Sequence, residues 1–376
     1  MSDHSNHQNH ANHSPAMKEL KDIVQAYDRA VLQDKKTALV TVVQVVGSSY
    51  RRPGARMLVT EDGAITGAIS GGCLEGDALR KAQMAIYQQQ NRLEIYDTTT
   101  EEDHHLGIQL GCNGMVYILF EPIRPEAPEN PIWLLKKVVQ ERKNAILATV
   151  FHPDKKALQP GTLHLIHTSE DFPDAHLISD IKSIFMDKAS MVKSYADYAI
   201  SYQFIPPALQ LIIIGGGNDV QPLTEMAAML GWQIIVADGR PGYATQARFP
   251  KAHQVLVAKP AERLPGITVD ERTAVVLMTH NYPHDLAALE QWIQTDCPYI
   301  GVLGPRKKLV KMLEELQERG MDTSEKTQLY GPVGLDIGAE TAEEIALSIM
   351  AEIKAVFANR AGLSLRERAL EIHARG

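Results

Sequence analysis

Cysteine is scarce in this chain, with three in 376 residues, at positions 73, 112 and 297. Three are too few to staple a disulfide scaffold, and too few for the paired iron–sulfur clusters of an electron-transfer enzyme, each of which takes about four thiolates. Long apolar runs are also missing. No stretch reaches the ~18 consecutive residues that would span a bilayer, and the His/Asn-rich amino terminus lacks the basic and apolar regions of a secretory signal. A cytoplasmic protein that makes no membrane contact is the expectation. Positive charge is in deficit as well: 38 Lys and Arg stand against 46 Asp and Glu, a net charge of −8. A general nucleic-acid binder needs the opposite balance to neutralise phosphates, although a local basic pocket stays open. A zinc centre is disfavoured, because only the adjacent His104-His105 could join Cys73 or Cys112 as ligands.

What is present points to a soluble globular protein of two domains: 376 residues, 44% hydrophobic and 22% charged. Residues 1–16, with His4, His7, His10 and His13 among Asn, Ser and Gln, have almost nothing apolar to bury and read as a disordered tail. Residues 17–205 read as a mixed α/β domain. Its signals are an amphipathic helix from Met17 (Leu20, Ile23, Val24, Tyr27), a strand at Ala38–Val46 and a hairpin of Arg56–Val59 with Ile65–Ile69. A helix at Cys73–Tyr87 and a strand at Met115–Phe120 follow. Pro206-Pro207 marks a boundary.

From 206 to 376 the pattern changes to short apolar strands alternating with helices, at Leu211–Ile214, Ile234–Ala237, Val255–Val257, Val275–Met278 and Ile300–Leu303. Strands buried on both faces read this way, so a Rossmann-like, doubly wound parallel sheet is predicted. The first strand runs into Gly215-Gly216-Gly217 and then a helix, the setting of a pyrophosphate-binding turn. Asp238 ends the next strand, where a carboxylate can accept from a ribose hydroxyl. Val220 occupies the third fingerprint position, normally Gly or Ala, and is expected to widen the crevice. These residues raise one functional reading, an NAD(P)-dependent oxidoreductase. Thr279, His280 and Arg306 fall at the carboxyl ends of other strands, where open α/β sheets bind ligands. With Arg240 and Lys307 they could hold an anion; alternatively His280 caps a helix. Lys308 reads as part of a solvated basic face.

The other candidates lie in the first domain. Gly47-Ser48-Ser49-Tyr50-Arg51-Arg52-Pro53-Gly54-Ala55-Arg56 joins two strands with hydroxyls and arginines. Ser49, Arg51 and Arg56 could close on an oxyanion, or the loop could be a solvent-facing turn with salt bridges. In Ser70-Gly71-Gly72-Cys73-Leu74-Glu75-Gly76 the thiol falls in the first turn of a helix that Ser70 could cap. There the helix dipole favours the thiolate, and Gly71 and Gly72 let a ligand approach the backbone. Cys73 is therefore the reactive cysteine, with a possible contact to metal or persulfide sulfur. Cys112, in Gly111-Cys112-Asn113-Gly114, fits either a second thiol contact or a plain turn. Cys297 reads as packing.

Taken in order, Gly47-Ser48-Ser49 with Pro53-Gly54-Ala55, Ile69-Ser70-Gly71-Gly72-Cys73-Leu74-Glu75-Gly76, Gly111-Cys112, Asp238-Gly239-Arg240-Pro241, Gly301-Val302-Leu303-Gly304 and Pro332-Val333-Gly334-Leu335-Asp336-Ile337-Gly338 resemble the XdhC/CoxI family of accessory proteins of molybdenum hydroxylases. The chain departs from the family pattern at Asn218, Val220 and Gly111-Cys112-Asn113-Gly114. The resemblance implies a maturation chaperone, a carrier rather than an enzyme. Such a protein binds the molybdenum cofactor (molybdopterin), holds it while a cysteine desulfurase supplies sulfur, and delivers it to xanthine dehydrogenase or a related hydroxylase. Its site residues would be Cys73, Cys112, Ser49, Arg51, Arg56, Gly71 and Gly72, with Gly215, Gly217, Asp238, His280 and Arg306 in the second domain. A homodimer is the default assembly.

Overall fold

A computed structural model of the chain describes residues 17–47, 49–97, 114–128, 130–169, 177–262, 264–323 and 326–367. The tail 1–16, His104-His105 and the Cys112 turn lie outside the described residues. The chain divides into two compact units, one ending at Pro207 and the next beginning at Ala208.

The first unit opens with α1 (Met17–Leu32), whose Leu20, Ile23, Val24 and Tyr27 form one buried stripe at helical spacing. Then come β1 (Thr37–Gly47), β2 (Arg56–Thr60), β3 (Ile65–Gly67), α2 (Glu75–Gln88), β4 (Arg92–Asp97) and β5 (Gly114–Ile123). These strands form an antiparallel sheet ordered β3-β2-β1-β5-β4. The β2–β3 hairpin turns at Gly63, whose φ of 91° suits glycine. Side-chain alternation divides the sheet into two faces. Val40, Val42, Met57 and Phe120 pack on Ala78, Ala82 and Ile86 of α2, whereas Leu39 and Leu58 pack on α1 and on α3 (Pro131–Gln140).

The remainder of this unit is β6 (Ala145–Phe151), β7 (Gly161–Ile166), α4 (Ile178–Asp187), β8 (Met191–Ser194) and β9 (Ala199–Ile205), giving a second antiparallel sheet, β7-β6-β9-β8. Val43, Leu93 and Leu119 of the first sheet meet Phe151 and Ala199 of the second. A polar cluster is enclosed in the same unit, and it corrects one expectation. Arg56, expected to face an oxyanion from the loop, is only 1% exposed. It opens β2 opposite Thr41 and shares the inward face of Leu58. Its guanidinium donates to the Gly54 carbonyl at 3.0 Å and to Gln203 Oε1. Burial pulls its pKa down to about 10, against the pull of Glu121 and Glu19, so it stays charged at neutral pH. Glu121, also buried, accepts from the Thr162 N–H at 2.6 Å and from Oγ1 at 2.9 Å.

The second unit contains β10 (Gln210–Ile214), α5 (Val220–Met229), β11 (Gln233–Asp238), β12 (Gln254–Val257), β13 (Thr273–Leu277), α6 (Tyr282–Trp292), β14 (Tyr299–Val302), α7 (Arg306–Glu318), β15 (Leu329–Tyr330) and α8 (Ala342–Phe357). Every pairing is parallel, in the order β12-β11-β10-β13-β14-β15. This is the dinucleotide-fold order, with its direction reversing between β10 and β13. Helices α5 and α8 cover one face and α6 and α7 the other, so the strands are apolar throughout. Among the described residues no helix is long and apolar enough to cross a membrane.

Candidate functional site

The turn between β3 and α2 is built around Ser70. Its Oγ accepts from the Gly72 and Leu74 N–H groups, each at 3.1 Å, and donates to Glu75 Oε2. Glu75 Oε1 accepts from the Ser70 N–H at 2.8 Å and the Ile69 N–H at 3.3 Å. Burial opposes ionisation of Glu75, but these donors outweigh it and hold the carboxyl below its usual range. The result is a clasp with Gly71, Gly72 and Cys73 at its tip. Gly72 has φ of 110°, and a Cβ there would meet nothing within 4 Å, so the tip is open. Cys73 is a free, half-buried thiol, packed on one side against the core beneath α2.

The structure corrects the placement of this thiol. Helix α2 begins at Glu75 with Leu74 as its N-cap residue, and no side chain caps it. Cys73 precedes the first turn because the left-handed Gly72 breaks helical geometry, and Ser70 is spent on the clasp. The loop after β1 lies alongside: a Cβ at Gly71 would come within 3.4 Å of the Tyr50 ring. Ser49 is half-buried next to the exposed Tyr50. Arg51 makes an ion pair with Glu19 of α1 at 3.0 Å, and its other donors have no partner among the described residues. Tyr50 of this loop thus meets Gly71 of the clasp, while Arg51 is held by Glu19 on α1 and Arg56 is in the interior. Sequence alone does not single out Tyr50 or Glu75; an acid five residues after a serine has no distinctive signature.

In the second unit the glycine turn is packed against its own chain. Gly215 has φ of 124°, and a Cβ there would lie 2.3 Å from the Met278 carbonyl oxygen. Asp238, expected to accept from a ribose hydroxyl, has both carboxylate oxygens engaged. Oδ2 accepts from the Gly216 N–H and from the Arg240 guanidinium, each at 2.7 Å. Oδ1 accepts from the Arg240 N–H at 2.8 Å and Nε at 2.9 Å. Arg240 stacks on the Tyr243 ring at 3.7 Å, and Arg248 donates to the Gly216 carbonyl at 3.1 Å and to Asn218 Oδ1 at 2.9 Å. The segment after β11 therefore covers the turn. Val220, expected to widen the crevice, is wholly buried with Leu223 and Ala227 in the core.

His280 follows β13 in a left-handed conformation, φ 56°, and its Nε2 lies 2.7 Å from Asp219 Oδ2, beside Gly217. Arg306 and Lys307 are exposed at the start of α7. Lys308 is not part of a solvated face. It pairs with Asp285, which is completely buried, and donates to the Leu303 carbonyl at 2.8 Å. Asp285 also accepts from Thr279 Oγ1 at 2.7 Å. This pair pins the carboxyl edge next to the glycine turn. Among the described residues no cluster of three or more His, Cys, Asp or Glu is arranged to hold a metal ion.

The Asp238 arrangement has a measurable pH signature. Burial disfavours its charge, but the Arg240 side chain and the N–H groups of Arg240 and Gly216 prevail, and its pKa falls below the ordinary 3.8. A carboxyl depressed on folding stabilises the native state above its unfolded pKa and loses that contribution as pH falls through the folded value. The stability of the second unit is expected to drop below about pH 4, and Asp238→Asn should flatten that part of a urea-unfolding profile recorded from about pH 6 to about pH 2.5.

Comparison with known proteins agrees with this architecture. Residues 30–97 match the model described as XdhC and CoxI family, and residues 211–353 match the XdhC Rossmann domain. A Bacillus subtilis protein, named as a probable subunit of xanthine dehydrogenase, is 32% identical over 335 residues, covering 86% of this chain and 94% of the relative. The molybdenum cofactor insertion chaperone PaoD of Escherichia coli is 24% identical, with 87% and 85% covered. A crystal structure of a xanthine dehydrogenase from Bacillus halodurans superposes with a TM-score of 0.71 at 29% identity, over 92% of this chain and 98% of that one. With both halves matched in order, and the strand order and glycine turns in place, the chain belongs to the XdhC/CoxI family.

Proposed function

We propose that this protein is a molybdenum cofactor chaperone, which carries the cofactor and inserts it into xanthine dehydrogenase or a related molybdenum hydroxylase. The observation that carries the reading is the Cys73 turn, a free thiol at the open tip of a hydrogen-bonded glycine loop, with Tyr50 of the neighbouring loop against Gly71. The cargo is an anionic metal dithiolene with a phosphate group. A thiol is a soft ligand for its metal end, and a guanidinium matches an oxyanion or phosphate edge. Cys73 would hold the metal–sulfur end, with Cys112 as a second thiol. Arg51, Ser49 and the Gly71 and Gly72 backbone would receive the oxygen groups. The role of Arg56 is to keep this loop anchored from within. Gly217, His280 and Arg306 would offer a separate anion contact at the carboxyl edge of the second unit.

The chain acts as a carrier. Sulfuration of the cargo belongs to a cysteine desulfurase partner, and a cytoplasmic homodimer is the form in which we expect it to work. The names of the relatives support this reading, and three cysteines cannot furnish the clusters of the hydroxylase itself. The NAD(P)-dependent oxidoreductase reading has the strand order in its favour. It is opposed by Asp238, whose oxygens are already taken, and by Gly216, whose N–H donates to Asp238 instead of a pyrophosphate.

Reconstitution separates the two. Protein loaded with cofactor should activate a cofactor-free hydroxylase, and a calorimetric titration with NADH or NADPH should show no micromolar binding, which would be about −8 kcal/mol. Failure to activate, together with saturable dinucleotide binding, would replace the chaperone with the oxidoreductase.

A further inference from the structure

The second unit contains a cavity of about 490 Å³ that the chaperone reading does not use. Its size is that of a small-molecule site. Tyr330 of β15, Glu352, Ala355 and Val356 of α8, Leu335 and Asn359 line it. Tyr299 opens β14, and β15 pairs beside it, so this region lies toward the amino ends of the parallel strands, away from the glycine turn at their carboxyl ends. Pro332-Val333-Gly334-Leu335, a motif for which neither functional reading finds a task, is fastened to α8 here. The Ser348 hydroxyl donates to the Leu335 carbonyl at 2.6 Å, and the Gly334 N–H donates to Glu352 Oε2 at 2.9 Å.

The wall of this cavity carries a negative charge that the protein itself leaves half satisfied. Glu352 Oε2 also accepts from the Tyr299 hydroxyl at 2.5 Å, while the other oxygen of Glu352 has no partner among the described residues. The Tyr330 ring is stacked on Tyr299, with centroids 4.4 Å apart and planes at 18°, so a single face of it remains for a guest. Burial and the Glu352 charge push both phenols above their ordinary range, and they stay neutral. Leu335, Ala355 and Val356 supply aliphatic surface. Arg360 also borders the cavity, but it already has a partner and is not a free donor.

An unpaired carboxylate oxygen calls for a positively charged N–H donor. A tyrosine face attracts the same charge through its ring quadrupole, and aliphatic walls cover a hydrocarbon body. An anion would meet the Glu352 charge, and a purely apolar guest would leave that carboxylate without a partner. We propose that this cavity binds a small organic amine, with its ammonium group on Glu352 beside the Tyr330 ring and its hydrocarbon body against Leu335 and Val356. The site belongs to the second unit alone and does not depend on the chaperone assignment.

Calorimetric titration of the full chain at neutral pH tests this with matched probes, 2-phenylethylamine against 2-phenylethanol and hexylamine against hexanoate. Saturable one-to-one binding of at least one amine is expected, at least about tenfold tighter than its matched alcohol or acid, the scale of one hydrogen bond to a charged group. Glu352→Gln keeps an acceptor for Tyr299 and Gly334 but removes the charge, and should weaken amine binding by about tenfold or more. Ala361→Phe fills the cavity from its exposed rim without touching Glu352, and should abolish binding while thermal unfolding stays unchanged. The proposal is overturned if neither amine binds, if the alcohol or the acid binds as tightly as its amine, or if amine binding survives either substitution unaltered.

Discussion

Arg56→Ala is expected to lower the unfolding free energy by about 3–5 kcal/mol, the usual result of removing one partner from a buried charged cluster. That is a large share of the roughly 5–15 kcal/mol available to a folded protein. The reason lies in what the guanidinium leaves behind. Gly54 O and Gln203 Oε1 lose their donor, and Glu121 loses the nearby positive charge that offsets its burial. Arg56→Met would restore volume but not charge, so most of the loss should remain. Combining Arg56→Met with Glu121→Gln removes the charge at both positions and should recover part of it. Urea unfolding of the single and double variants measures this directly. A change under about 1 kcal/mol in Arg56→Ala, the scale of an ordinary surface substitution, would mean that the cluster does not hold the sheets of the first unit as described.

Cys73→Ala should reduce delivery of active cofactor to a hydroxylase more than tenfold while leaving the fold intact. The expected division of effects follows from the clasp. Its hydrogen bonds run through Ser70, Glu75 and backbone N–H groups, and none uses the cysteine side chain. The melting temperature should therefore stay within about 2 °C of the parent, a shift of under 1 kcal/mol. Cys73→Ser is the sharper variant, since it keeps the size and a hydroxyl but lacks soft sulfur, and it should fail to deliver as completely as Cys73→Ala. Ser70→Ala should behave differently. With the Gly72 and Leu74 N–H groups left without their acceptor, both delivery and stability should fall. Normal activation by Cys73→Ala would remove the thiol from the mechanism.

The second unit is the more legible half. Its strands are apolar on both faces, so Leu211–Ile214 or Ile234–Ala237 can hardly be anything but central parallel strands, and their observed bounds differ by only one or two residues. In the first unit, short, partly exposed edge strands such as β3 and β8 and long-range antiparallel partners leave a weaker trace. Neither the separation into two sheets nor the contact between Tyr50 and Gly71 is written in local pattern. Site residues divide the same way. Position 238 at a strand end is readable; that Arg240 and Gly216 consume its carboxylate is not, because those bonds depend on how the following segment folds back. Position 56 carries a usable signal. An arginine at the start of a strand whose next even position is Leu58 shares that leucine's inward face. Lys308 carries none, since nothing in the run Arg306-Lys307-Lys308 distinguishes the lysine that turns toward Asp285.

The most direct measurement is the molybdenum and pterin content of protein isolated without air, compared between the parent chain and Cys73→Ala. Near-stoichiometric molybdenum and a pterin-derived fluorophore in the parent, with both sharply depleted in the variant, is the predicted result. Parent protein free of both after co-production with the cofactor pathway, or a variant that retains the full complement, would contradict a chaperone that holds its cargo through the Cys73 turn.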